Sequence, residues 1–241
     1  MDEIDTPKPL KWRYTGSQIA PTEELQYHSH WGATMSLFSQ LEELQWKQLQ
    51  HDEKYHKDIW LLTVQQRITH MVLHLAKYSA KLTVSAFEKN ENEFKTTIVD
   101  CLIILLSSAN IFNSRIYDIS LSEQEKDFPD IKSLAGYLMK ADYDKSSSDK
   151  LNYLSRAITI QVGAMCKAAE SLDHLEPYPF RQTLVDSIGR LFKISLAALY
   201  MSTDEDLDAL FTKRLIAVEK KNIFFNRLGN YETGYSNVLE R

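Results

Sequence analysis

The chain has 241 residues, and its 28 basic against 33 acidic side chains give a net charge of −5, which argues against a general nucleic-acid binder with its characteristic basic excess while leaving room for local basic faces. An apolar fraction of 44% allows a sizeable core, and only 7 Gly and 6 Pro favour long helices over a turn-rich β fold. Cys101 and Cys166 both sit in apolar helical patterns, so they read as small core residues of a reducing compartment rather than as a disulfide framework.

The N-terminus, Met1-Asp2-Glu3-Ile4-Asp5, is acidic and has no apolar run, so it does not read as a secretory signal. Three prolines (Pro7, Pro9, Pro21) with Gly16 and Ser17 make residues 1–30 an irregular arm, which Trp12, Tyr14 and Ile19 would pack on the body. From about Trp31 the apolar positions Met35, Phe38, Leu41, Leu44 and Leu49 outline one helical stripe. A second helix is predicted from about Asp58 to about Phe87 on Leu61, Val64, Ile68, Val72, Leu75 and Leu82. A third, roughly Glu91 to Phe112, holds the most apolar run, Cys101 to Leu106, which is too short by itself to span a bilayer.

The polar stretch Ser120 to Asp130 reads as a connection, followed by a short helix (Ile131 to Lys140) and the loop Ser146-Ser147-Ser148. Helices are then predicted over about Asp149 to Leu172 and about Phe180 to Met201, separated by Pro177 and Pro179. Thr203-Asp204-Glu205-Asp206 looks like a capped start for a last helix reaching about Phe225, and the tail that follows is loop-like.

One pattern occurs twice. Phe94-Lys95-Thr96-Thr97-Ile98-Val99-Asp100 is echoed by Phe180-Arg181-Gln182-Thr183-Leu184-Val185-Asp186, and an apolar helix follows each. Residues i and i+3 share a helical face, so Thr97 with Asp100, and Thr183 with Asp186, each present one polar pair. An acid in an early turn can equally serve the helix dipole. The expected fold is all-α, an antiparallel bundle of two related units around a pseudo-twofold axis. It divides into an arm (1–30), a first repeat (31–118), a connection with a short helix (119–147), a second repeat (148–225) and a tail (226–241).

With an upstream helix around His74-Leu75-Ala76-Lys77-Tyr78, an apolar helix carrying Asp100, and a terminal helix rich in Lys, Asn and Arg, the chain resembles the MazG-like, dimeric dUTPase-like nucleoside triphosphate pyrophosphohydrolases. The tail Gly229-Asn230-Tyr231-Glu232-Thr233-Gly234-Tyr235 looks somewhat like the closing segment of the dUTPase type. The resemblance implies two MazG-like repeats and a Mg²⁺ site of clustered carboxylates, with Asp100 as a metal ligand, because this hard cation wants oxygen donors. It also carries Lys221, Asn222 and Arg227 over as phosphate contacts. Two halves in one chain would supply the dimer of single-copy relatives, leaving a monomer or a homodimer.

The acids of that family are missing here. No Asp or Glu lies between Asp58 and Glu88, or between Asp149 and Glu170, and Thr97 and Thr183 stand where the family has a Glu. Only Asp100 and Asp186 remain. Instead, His70, His74, Lys77 and Lys81 fall at i, i+4, i+7 and i+11, on one helical face. Three readings of that face follow: Lys77 pairs with Asp100, the face binds phosphate without a metal, or His70 and His74 chelate a transition metal. His28-Ser29-His30 could bind metal but more often such a segment is a solvated loop, His51 and His56 among Asp52, Glu53 and Lys54 read as an exposed charged face, and Lys213, Arg214, Lys220, Lys221 and Arg227 as a solvated basic face.

The expected function is a degenerate MazG-like relative in the cytoplasm that binds a nucleotide or phosphate ligand or regulates, needs no cofactor and does not associate with a membrane. The rival is an active Mg²⁺-dependent pyrophosphohydrolase that recruits Glu42, Glu43, Glu91 or Glu93 to Asp100. A non-catalytic interaction scaffold is the third reading.

Overall fold

The computed structural model describes residues 35–143 and 149–221, and every regular element among them is helical. Helix α1 spans Leu37–Tyr55, started by the Ser36 side chain, which accepts from the Ser39 amide. The predicted single helix from Asp58 is two. A short helix α2 (Lys57–Trp60) stops at Leu61, and α3 (Val64–Phe87) begins afresh on Thr63. Thr63 and Gln66 form a reciprocal capping box, whose extended backbone at Thr63 (ψ 158°) interrupts the helix.

Helix α4 (Glu91–Ile111) starts on Asn90, whose side chain accepts from the Glu93 amide, and Glu91 and Glu93 in its first turn complement the dipole. It is buried on most of its circumference: Phe94, Ile98, Leu102, Leu105 and Ala109 are all sealed from solvent. Length and composition alone would let this helix cross a membrane, but 72% of its most apolar window is buried inside the bundle, as befits a core helix.

The predicted connection contains α5 (Ile116–Ser120) and α6 (Glu123–Lys126), and α7 (Ile131–Leu138) ends in a π-helical turn, Met139–Tyr143. Helix α8 (Lys150–Asp173), capped by Asp149, and α9 (Phe180–Ser202) form the second long hairpin, and α10 (Leu207–Glu219) begins on Asp206. The arm 1–30, Trp31 and the tail 226–241 lie outside the described residues.

Helices α3 and α9 bury stripes at steps of three and four: Ile68, Val72, Leu75, Ser79 and Leu82 on α3, and Leu184, Ile188, Leu191, Ser195 and Ala198 on α9. Helices α3 and α4, joined by only three residues, run antiparallel. Helix α3 packs on both α4 and α8, and α9 on both α8 and α4, closing a four-helix ring around one continuous core. Helices α1 and α10 cover α4, while α5 and α7 cover α9. Gly189 permits one of these contacts. A Cβ there would lie 2.2 Å from the Ile119 carbonyl oxygen, so α9 meets that backbone only because the side chain is absent.

With few glycines available, helices end on other residues in left-handed conformation: Lys89 (φ 56°), Asn113 (φ 50°) and Leu175 (φ 56°). After α3, the Asn90 amide donates to the Ser85 carbonyl and Lys89 to Ala86; after α4, Ser114 donates to Ala109 and Asn113 to Asn110. These are Schellman closures built without glycine.

The ring sets α3 beside α8 and α4 beside α9, but the two Thr-x-x-Asp segments have different surroundings. Thr97 and Asp100 are buried on α4, whereas Thr183 is half-buried and Asp186 is exposed, accepting from Gln182 Nε2 at 2.7 Å.

Candidate functional site

A cavity of about 160 Å³ opens between the helices of the first half of the chain and α10, walled by α1, α2, α3, α4 and α10. Four histidines line it, His51, His56, His70 and His74, together with Asp52 and Asp100. Arg67, Gln48, Ser107 and Asn110 add polar groups, and the rest of the lining is apolar or aromatic, with Trp60 and Tyr78 among it.

Asp100 is 7% exposed, and its carboxylate is held by Arg214 of α10, Nε to Oδ1 at 2.6 Å and Nη2 to Oδ2 at 2.7 Å. This bidentate pair holds the guanidinium above its ordinary pKa, chiefly through the hydrogen bond to Asp100. Tyr78 beside it is pushed up to about 12, by burial first and by the Asp100 charge second, so its phenol stays protonated at neutral pH.

His70 and His74 stack at 4.6 Å between ring centroids on the α3 wall. His74 falls to about 4, because burial and then the positive Lys77 disfavour its charged form, and its Nδ1 is buried without a hydrogen-bond partner. At the start of α3, the Arg67 guanidinium lies 5.4 Å from the Trp60 ring centroid. Arg67 Nε is buried and unbonded, and no carboxylate among the described residues pairs with this cation.

At the opposite wall, Asp52 accepts from Ser107 Oγ in a very short contact and from Gln48 Nε2 at 2.8 Å. His51 beside it is buried, and neither ring nitrogen makes a hydrogen bond. Its Nε2 lies 3.5 Å from Glu219 Oε1 and its Nδ1 4.0 Å from Asp52 Oδ1. Burial lowers the pKa of His56, against the pull of Asp52.

Of the residues expected from sequence, His70, His74 and Asp100 meet at this cavity. Thr97 is buried in the core near Asp100 but is not on the wall. Lys77 does not pair with Asp100; it is exposed, with Nζ 4.6 Å from the Tyr78 ring centroid, and Arg214 occupies the carboxylate instead. Lys81 is exposed and reaches Glu93 at 3.5 Å. Asp186 is off the cavity, Lys221 is exposed just beyond α10, and Asn222 and Arg227 lie outside the described residues.

Two expectations are corrected. His51 and His56 are not a solvated face, because the end of α1 turns them toward α3 and α10; Arg214 is not a solvated cation, because α10 lays it against α4. Asp52, expected on that same charged face, also lines the cavity, and nothing in the sequence marks Arg67 and Trp60. A helical plot of α1 could have flagged the wall, since Leu37, Leu41, Leu44, Gln48 and His51 continue one buried stripe.

The carboxylates that the resemblance would use do not fit a Mg²⁺ site. Asp100 already carries a guanidinium on both oxygens, which opposes a dication there, and Glu42, Glu43, Glu91 and Glu93 are all exposed and off the cavity. Comparison with known proteins adds no assignment: no family model, curated protein or solved structure matches the chain.

Proposed function

We propose that this chain is a cytoplasmic, MazG-like helical protein whose histidine-lined cavity binds a nucleotide or related phosphate-bearing small ligand without efficient hydrolysis. The observation that carries the reading is Arg67. A half-buried guanidinium with an unbonded Nε and no carboxylate partner among the described residues is a donor that lacks its acceptor, and a phosphate supplies one. Trp60 and Tyr78 on the same cavity offer faces for a base. Asp100, committed to Arg214, supports positioning rather than metal-assisted hydrolysis.

The test is a calorimetric titration of the full chain with a panel of nucleoside mono- and triphosphates in chelator, repeated for Arg67→Gln. Binding that persists in chelator and weakens at least tenfold in the variant supports the reading. Pyrophosphate release on adding Mg²⁺ would instead establish the hydrolase. No binding to any nucleotide would leave the interaction scaffold.

A further inference from the structure

We infer that His51, Asp52 and His56 form a binding site for one divalent first-row transition ion, of the Zn²⁺ or Fe²⁺ type, at the α1 end of the cavity. Their candidate ligand atoms all lie within 4.8 Å of one another, on the last turn of α1 and the residue that closes it. Ligands around such an ion sit about 3.4 Å apart at bond lengths of roughly 2.0–2.2 Å. The observed spacing is thus within about 1.4 Å of that of a coordinated set.

The independent sign is His51. It is 6% exposed, yet both ring nitrogens lack a hydrogen bond. A buried imidazole with two unmet nitrogens is costly unless something absent from the protein part fills the gap. Its two nitrogens face two different carboxylates, Nδ1 toward Asp52 and Nε2 toward Glu219. A metal-bound histidine needs that arrangement: one nitrogen on the ion beside a carboxylate ligand, the other N–H directed at a second carboxylate that fixes the tautomer. Asp52 is likewise preset, held by Ser107 Oγ and Gln48 Nε2.

Two imidazoles and one carboxylate select a borderline transition ion over Mg²⁺ or Ca²⁺, which prefer all-oxygen sets. Three protein ligands also leave coordination positions open, and all three residues line the cavity, so those positions face its interior. Gln48 Oε1, buried and unbonded on the same cavity, is an acceptor suited to a water carried by the ion. This site is separate from the Asp100–Arg214 pair and does not depend on the phosphate reading.

The test uses the full, untagged chain stripped with chelator and titrated with Co²⁺ and then Zn²⁺ in the absence of any nucleotide. We expect one equivalent of Co²⁺ to give visible d–d absorption that Zn²⁺ displaces, and Zn²⁺ to raise the melting temperature. His56→Gln and Asp52→Asn, checked for fold by circular dichroism, should each weaken binding at least tenfold and abolish the thermal shift. His70→Gln, His74→Gln and the His28→Gln/His30→Gln double variant should stay within threefold of the parent. No binding by the parent chain, unchanged affinity in His56→Gln, or loss of binding in any of the three controls would overturn the assignment.

Discussion

Arg214 and Asp100 meet in a fork of two charge-assisted hydrogen bonds, at 2.6 and 2.7 Å, that ties the final described helix to the most buried one. Arg214→Met would strand a carboxylate that is 7% exposed, at a cost of about 3 kcal/mol, reduced somewhat because the guanidinium edge is itself partly wet. The double variant Asp100→Leu/Arg214→Met should recover much of that loss. Urea unfolding of the four proteins of the cycle measures both, and additive losses would refute the coupling.

Stability should fall as the medium is acidified below neutrality. His74 has a folded-state pKa lowered from 6.5 to about 4. Between those values the unfolded chain holds a proton that the folded chain refuses, so folding weakens steadily as pH drops through that window. The half-exposed position of His74 limits the amplitude. Urea midpoints from pH 7 to pH 4 should show the slope, and His74→Gln should flatten it.

Leu175 is held at φ 56° while 89% exposed, so its side chain contributes little packing and suffers the left-handed penalty. Leu175→Gly should stabilise the protein by about 1 kcal/mol. Asn113→Gly should gain less, because asparagine tolerates that conformation better. Thermal melts rank the two.

Gly189→Ala should destabilise by about 1–3 kcal/mol, since the added methyl meets a backbone oxygen rather than a side chain that can swing away. A chemical denaturation curve with unchanged slope and lower midpoint is the expected result.

How much of this could be read from the residues depends on the range of the interaction. The long helices announce themselves through local periodicity, and Asn90, Asp149 and Asp206 sit where caps belong. The break at Thr63 carries a local signal, the Thr-x-x-Gln capping box, but the apolar spacing from Leu61 to Val64 runs across it and hides it. The pairing of Asp100 was not legible. Lys77 lies on the neighbouring helix and Arg214 more than a hundred positions away, and only the docking of α10 on α4 decides between them. His51 extends the buried stripe of α1, but the charged run Asp52, Glu53 and Lys54 beside it masks that periodicity, and His56 beyond the helix is set against the cavity only by the packing of other elements.

The cavity wall draws on residues from Gln48 to Val218. Its floor is laid by the first half, but Leu215, Val218 and the Arg214 clamp arrive with α10, after the second hairpin has been made. A chain emerging from the ribosome would thus complete this cavity only once α10 is made, and anything seated there would hold α10 in place. Loss of protease sensitivity near Leu207 would then report occupancy directly.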